Sequence, residues 1–326
     1  MIVKYLLVLE RMYTMEKVAV YGTGTIGACL ATLTSGYGLE TVIVGYSEKG
    51  LERCRSTIEA NWDLLIKEGL ANEASKKEAL ELVHITNDPE KLEGVTFVFE
   101  AVLELKDTKK DVYDTINKYA ANNVIIGSCT SSIDSSILAS ITEYPEKLLI
   151  THPFQPAHMN PLVEIVLHDA TSEETLERSR ELLEFLNREV VVLRKSIPGF
   201  IVNRLAWTLF RECINMLENE VTTPEDINTA VKYAIGKRYA NIGLMEYYDD
   251  LGFIFIDTVN KNILPDLSRA TETQRLTKEG LESGNTGRLA GKGLIDWSKK
   301  DIPDYLFRKQ KPFLHEVDKW PLIQKN

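Results

Sequence analysis

One glycine pattern constrains this chain more than any other feature. Gly22, Gly24 and Gly27 follow the apolar run KVAVY directly and open a second apolar stretch, TIGACLATLTSGYG. A strand that ends on GxGxxG and feeds into a helix turns tightly at the first glycine and packs helix on strand at the third. At the second, its backbone is free to approach a pyrophosphate. The first amides of that helix, with the positive end of its dipole, then face the anion, so the segment predicts a dinucleotide site.

The chain around this motif repeats the same alternation. Short apolar runs recur at TVIVGY, VTFVFEAV (95–102), NVIIGS (123–128), LLITHPF (148–154) and EVVVLR (189–194), with helical stretches between them. Continuous apolar strands alternating with helices predict a parallel sheet covered on both faces. Residues 48–82 are charged, with helical spacing, and read as a helical insertion between strands two and three. The pattern changes at Pro198-Gly199, beyond which no strand of comparable strength follows and FIVNRLAWTLFRECINMLENE reads as one long helix. The expectation is an α/β fold: a Rossmann-type domain with a mostly parallel sheet over 15–197, then an all-helical domain over 198–326. The opening stretch 1–14 is too short to span a bilayer and lacks a signal-peptide cleavage site, so it is set apart as an extension.

Composition excludes several partners. A net charge of -10 and a pI near 5.2 argue against nucleic acid and anionic membranes, which favour a basic face. The four cysteines, at 29, 54, 129 and 213, have neither CxxC nor zinc spacing. They suit free thiols in the cytoplasm, with no disulfide and no metal expected.

The second half of the dinucleotide signature is missing. An acidic residue is expected at the end of strand two, where it would bind the adenosine ribose, but Gly45 stands there, followed by Tyr46 and Ser47. Without that carboxylate the 2′-hydroxyl loses a partner and a 2′-phosphate loses a repelling charge. Ser47, Lys49 and Arg53 suit a phosphate, whereas Glu48 suits a ribose, and the residues alone leave NAD and NADP both open. Thr23, Thr25 and Ile26 complete the turn as cofactor-site candidates.

Three further segments carry chemistry: SCTSS (128–132), THPFQPAHMNPLVEIV (151–166) and PGFIVNRL (198–205). His152 is a candidate base because a neutral imidazole titrates near working pH. Glu164 lies in the apolar run PLVEIV, where an unpaired charge is costly. In order and spacing the three segments resemble the L-3-hydroxyacyl-CoA dehydrogenase family. That resemblance implies His152 as general base, Glu164 as its partner, and Ser131 and Asn203 as hydrogen-bonding groups at the reacting oxygen. It also implies that Glu104 and Lys109 meet the nicotinamide end of an NAD cofactor, with Ala101, Val102 and Ser131 as further cofactor-site candidates, and that the helical domain forms a homodimer. Two positions depart from the family: Gln155 and Cys129 stand where asparagines are usual. His84, His158, His168 and His315 match no constellation and are expected at the surface, with only His158 close enough to line the pocket.

The substrate class rests on the second domain. The segment AIGKRYANIGLMEYYDD (234–250) resembles the branch containing L-gulonate 3-dehydrogenase, lambda-crystallin and carnitine dehydrogenase, which act on free hydroxy acids. Arg238 is then a candidate for the substrate carboxylate, through a two-bond guanidinium fork. The cluster Tyr239, Tyr247 and Tyr248 with Asp249 and Asp250 is a candidate for a quaternary ammonium, with a subunit interface or core packing as the other reading. The closing GRLAGKGLIDW (287–297) instead resembles butyryl-CoA members. The expectation is therefore oxidation of a free 3-hydroxy acid to the 3-oxo acid, with a 3-hydroxyacyl-CoA substrate as the alternative. A non-catalytic dinucleotide-binding or structural protein is the remote one.

Overall fold

The computed structural model describes residues 16–323, so the extension expected over 1–14 lies outside the described residues. Two compact units emerge, one taking in the chain up to Ile201 and again from Phe307, the other being Val202–Leu306.

The first unit is built on strands buried on both faces. Strands β1 (Val18–Tyr21), β4 (Phe97–Glu100), β5 (Ile125–Ser128) and β6 (Leu148–Pro153) are buried at every position, as their continuous apolar sequences require. With β2 (Thr41–Val44), β3 (Val83–Thr86), β7 (Leu162–Val166) and β8 (Glu189–Leu193) they form one sheet in the order β3-β2-β1-β4-β5-β6-β7-β8. Every pairing is parallel except β6 with β7. Helix α1 (Thr25–Gly36) packs on one face beside α2 (Glu48–Lys67), where Leu33, Ile58 and Trp62 are buried in the same core. On the other face Val112, Tyr113 and Ile116 of α4 (Lys106–Tyr119) are buried in a second core. Doubly wound parallel sheets bury both faces in this way.

Two strands were not legible beforehand. β3 is VHIT at the sheet's edge, with His84 exposed, and has no apolar run to announce it. β7 carries a glutamate at its centre. The charged stretch 48–82 is two helices: α2 starts on a Ser47 cap and ends before Gly69, whose φ of 73° stops it. α3 (Glu73–Glu81) restarts on an Asn72 cap.

The expected helical domain of 198–326 differs at its end, because the tail from Phe307 groups with the first unit. Trp320 is fully buried there, edge-on to Trp62 at 5.8 Å between ring centroids. A Cβ on Gly36 would come within 2.2 Å of the Trp320 ring, so α1 carries a glycine where the indole lies across it. The Leu322 N–H donates to the Gly36 carbonyl, and the Ser75 hydroxyl donates to the Leu322 carbonyl.

The second unit consists of helices α7 (Val202–Glu218), α8 (Pro224–Ala230), α9 (Gly236–Tyr239), α10 (Leu244–Leu251), α11 (Phe253–Ile263) and α12 (Arg275–Glu282), with α13 (Ile302–Gln310) leading out of it; α5 (Ser135–Ala139) and α6 (Glu173–Phe185) belong to the first. Glu212 accepts the Ser268 N–H and Glu218 the Leu276 N–H, which ties α7 to the segments after α11. Among the described residues of Val202–Leu306 only Ile214 is buried.

Because the Trp320 side chain fills a closed space, Trp320→Ala is expected to lower the unfolding free energy by about 3–5 kcal/mol. Urea denaturation followed by circular dichroism measures the loss, and an effect below about 1 kcal/mol would mean the tail is not part of the core.

Candidate active site

The carboxyl ends of β1 and β4 lie side by side where the winding of the sheet changes direction, which is where open α/β sheets bind ligands. Gly22 has φ of 130°, and a Cβ there would sit 2.3 Å from the Ala101 carbonyl oxygen. A Cβ on Gly27 would sit 2.0 Å from the Gly22 carbonyl oxygen. Those two glycines are therefore demanded by the protein's own backbone. Gly24 is different: a Cβ there would meet nothing within 4 Å, which leaves room over the start of α1. Gly24 caps α1 without a side chain, so the helix's first amides, next to Thr25 and Ile26, keep their donors for a ligand. This cradle fits a pyrophosphate. Beyond β2, the exposed Tyr46 leans on Tyr21 at 5.9 Å, and the Ser47 hydroxyl accepts the Gly50 N–H at the head of α2.

At the end of β4 stands a group that the sequence reading missed. Glu100 is fully buried and accepts hydrogen bonds from Lys109 Nζ at 2.6 and 2.9 Å, from the Tyr113 hydroxyl at 3.0 Å, from the Ser128 hydroxyl at 2.6 Å and from the Val102 N–H at 3.0 Å. Lys109 is buried as well, and its ammonium also lies 3.6 Å from Glu104. Glu104 accepts from the Thr130 hydroxyl at 2.7 Å and from the Ser131 N–H at 3.1 Å. The network thus joins four of the cofactor-site candidates, Val102, Glu104, Lys109 and Ser131. The only sequence signal for Glu100 is one acid closing the apolar strand FVFE. The Tyr113 hydroxyl is pushed well up by burial and then by Glu100, and the Cys129 thiol is pushed up by burial first, so both are neutral beside the network. Gln155 is exposed, next to a cis bond to Pro156.

Two strands away, His152 and Glu164 face each other across the antiparallel β6–β7 pair. His152 Nδ1 lies 2.8 Å from Glu164 Oε2, and the second carboxylate oxygen accepts the Ile201 N–H at 2.9 Å. Glu164 is fully buried and His152 nearly so. A carboxylate on Nδ1 assigns the proton there and leaves Nε2 as the basic nitrogen. The rings of Phe154 and Phe200 flank the imidazole at 4.6 and 5.4 Å. Gly199 and Phe200 both have positive φ, 80° and 48°, and this turn brings the Phe200 ring to His152 and the Ile201 N–H to Glu164. The arrangement can take and return one proton in a nearly dry site.

The other histidines divide. His84 and His315 are exposed as expected. His158 is not a surface residue: it is buried, its Nδ1 lies 3.3 Å from Cys29 Sγ, and burial lowers its pKa to about 3. It is a neutral core residue. His168 is half-buried, with Nε2 on the Leu148 carbonyl.

Asn203 and Arg238 belong to the second unit. Asn203 is half-buried at the start of α7. Arg238 is exposed, and its guanidinium lies 4.5 Å from the centroid of Tyr247, whose ring meets those of Tyr239 and Tyr248. A cation of the chain itself therefore lies over one face of that aromatic cluster.

Comparison with known proteins agrees with this geometry. Residues 17–197 match the NAD binding domain of 3-hydroxyacyl-CoA dehydrogenase, and residues 199–297 match its C-terminal domain. The chain is 34% identical over 229 residues to L-carnitine dehydrogenase of Oceanobacillus iheyensis, covering 70% of this chain and 74% of that protein. It is 29% identical over 281 residues to 5-formyl-3-hydroxy-2-methylpyridine 4-carboxylate 5-dehydrogenase of Mesorhizobium japonicum, covering 86% and 90%. A crystal structure of a 5-dehydrogenase for that pyridine carboxylic acid, described as an NAD+ dependent dismutase, superimposes with a TM-score of 0.83 at 27% identity, over 92% of this chain and 97% of that one.

Removing one charge of the buried pair leaves the other uncompensated. Glu100→Gln is expected to destabilise the protein by about 3–5 kcal/mol in urea unfolding, and Lys109→Met in the same background to recover part of the loss. Unchanged stability of Glu100→Gln would contradict a charged pair at this position.

Proposed function

The chain belongs to the 3-hydroxyacyl-CoA dehydrogenase family and is an NAD-dependent dehydrogenase of a 3-hydroxy group; from that premise we propose that its substrate is a free 3-hydroxy acid and that His152 is the catalytic base. The His152–Glu164 pair, closed at 2.8 Å at the carboxyl edge of the sheet, is the observation that carries this reading.

NAD, when bound, supplies the acceptor for the hydride leaving C3. His152 Nε2 takes the proton of the C3 hydroxyl, while Glu164 holds Nδ1–H and stabilises the imidazolium that results. In the reverse direction the imidazolium returns the proton. Ser131 and Asn203 hold the substrate oxygen by hydrogen bonds, which orients C3. The glycine turn with Thr23, Thr25 and Ile26, together with Tyr46, Ser47, Ala101, Val102, Glu104 and Lys109, holds the dinucleotide. Glu104 fixes the Ser131 backbone, so the position of the substrate oxygen depends on it.

A free acid is favoured over a CoA thioester by the similarity to L-carnitine dehydrogenase and to the pyridine 4-carboxylate dehydrogenase, neither named for a CoA ester, while the similarity to a 3-hydroxybutyryl-CoA dehydrogenase of Clostridioides difficile supports the thioester. The charge on α2 supports the free acid. Its cations Lys49, Arg53, Arg55 and Lys67 are interspersed with Glu48, Glu52, Glu59 and Asp63, a poor partner for the phosphates of CoA. Arg238 is the proposed ligand of the substrate carboxylate. The thioester reading retains the resemblance of 287–297, and the same assay decides it.

No described helix is long and apolar enough to cross a membrane. We place the protein in the cytoplasm, where its four free cysteines stay reduced. We also propose that it is a homodimer through Val202–Leu306. A helical unit with one buried residue among those described, exposing Trp207, Phe253, Ile254 and Leu289, has its apolar faces still to cover.

Assay of L-gulonate, carnitine, 3-hydroxybutyrate and 3-hydroxybutyryl-CoA with NAD tests the substrate. A free acid should be turned over, and a thioester preferred over all three acids would reverse the assignment. With the active substrate, His152→Gln is expected to lower kcat by about 10²–10⁴-fold with KM little changed, and Glu164→Gln by about 10²-fold or more. Near-normal turnover in His152→Gln would remove the base from this position. Sedimentation velocity should give twice the 36.9 kDa of one chain; a monomer at micromolar concentration would sink the dimer.

A further inference from the structure

The missing acid at the end of β2 is not a simple deletion, because another side chain occupies the space beside it. A Cβ on Gly45 would lie 2.4 Å from Thr23 Cγ2 and 2.9 Å from Leu51 Cδ2. A Cβ on Gly50 would lie 2.9 Å from Thr23 Oγ1 and 3.0 Å from Ser47 Oγ. Thr23 is thus seated against two bare α-carbons, and no larger residue fits at 45 while it is there. Gly45 is held in place, since its N–H donates to the Thr86 carbonyl at 3.0 Å and the preceding Val44 carbonyl accepts the Gly22 N–H at 2.9 Å. The adjacent acid, Glu48, accepts from Asn87 Nδ2 at 2.8 Å, on the β3 side.

We infer that Thr23, seated between Gly45 and Gly50, replaces the ribose-binding carboxylate with hydroxyls and lets the site accept NADP as well as NAD. The chemistry follows from the groups present. A carboxylate only accepts hydrogen bonds and repels a 2′-phosphate. The Thr23 hydroxyl has no hydrogen-bond partner among the described residues, and Ser47 Oγ, which accepts the Gly50 N–H, keeps its own proton to donate. A hydroxyl that donates or accepts serves a ribose 2′-OH and a phosphate oxygen alike. Lys49 and Arg53 on the first turns of α2 are matched there by Glu48 and Glu52, so the helix start carries no net charge against a 2′-phosphate and the hydroxyls decide. The inference rests on the glycine turn being the NAD site.

Titration of the purified full chain with NADH and with NADPH, following reduced-nicotinamide fluorescence without substrate, tests it. The two dissociation constants are expected to agree within about thirtyfold in the wild type, and a wider gap in favour of NADH overturns the inference. Gly45→Asp alone should weaken both ligands by tenfold or more, roughly the cost of forcing a side chain into occupied space. Thr23→Gly, which clears the space without adding charge, should leave the ratio of the two constants as it is. Thr23→Gly/Gly45→Asp should restore NADH binding and weaken NADPH by about a hundredfold relative to the wild type, the size of one added like charge near the surface. If Gly45→Asp alone already binds NADH normally and rejects NADPH, Thr23 is not the determinant. Failure to bind either dinucleotide would sink the glycine-turn site itself, whereas tight NADH with rejected NADPH sinks only the role of Thr23.

Discussion

A carboxylate buried at the mouth of a parallel sheet has to find its charge and its hydrogen bonds within the protein, and Glu100 imposes that requirement on everything around it. Meeting it takes the ammonium of Lys109 from α4, hydroxyls from α4 and β5, and an amide from the turn after β4. The carboxyl ends of β4 and β5 and the first turns of α4 are thereby fixed to one another. Upon that fixed floor Glu104 reaches across to Thr130 and Ser131. Two acids four residues apart have separate tasks: the buried one organises the floor, and the half-exposed one ties it to the β5 loop that carries the proposed substrate ligand.

The His152–Glu164 pair depends on the one reversal of direction in the sheet. Directly opposed residues on antiparallel strands stand close enough for their side chains to meet on the same face, and His152 and Glu164 are such residues. Glu164 can then be buried because its oxygens have partners, the imidazole on one and the Ile201 amide on the other. The positive φ at Phe200 is a local strain of about 1 kcal/mol that the surrounding packing holds in place.

What could be read from the sequence was whatever repeats or whatever is unusual for its setting. The apolar strands announce a sheet buried on both faces, and the glycines announce the turn because each is required by a close approach or a free space. His152 and Glu164 stand out because polar residues in apolar runs need partners. β3 was hidden by being a short edge strand with polar residues, and Glu100 by looking like the polar end of an apolar one. The return of Trp320 to α1 depends on a contact between residues nearly three hundred positions apart, which no local pattern announces. Thr23 is legible as a cofactor-site candidate in the turn, but only three-dimensional proximity reveals that it and Gly45 are two halves of one fit.

That return of the tail makes the helical unit an internal segment of the chain. The unit starts at Val202 and ends at Leu306, and the polypeptide on both sides of it belongs to the same Rossmann body. It is therefore an insertion, not an appendage. Once the Rossmann body has formed with Trp320 in place, both ends of the helical segment are anchored, and the entropy of closing that long loop is spent before its helices pack. A protease cutting one of its exposed connections would open the loop without releasing either piece, because each half would still end in the same core.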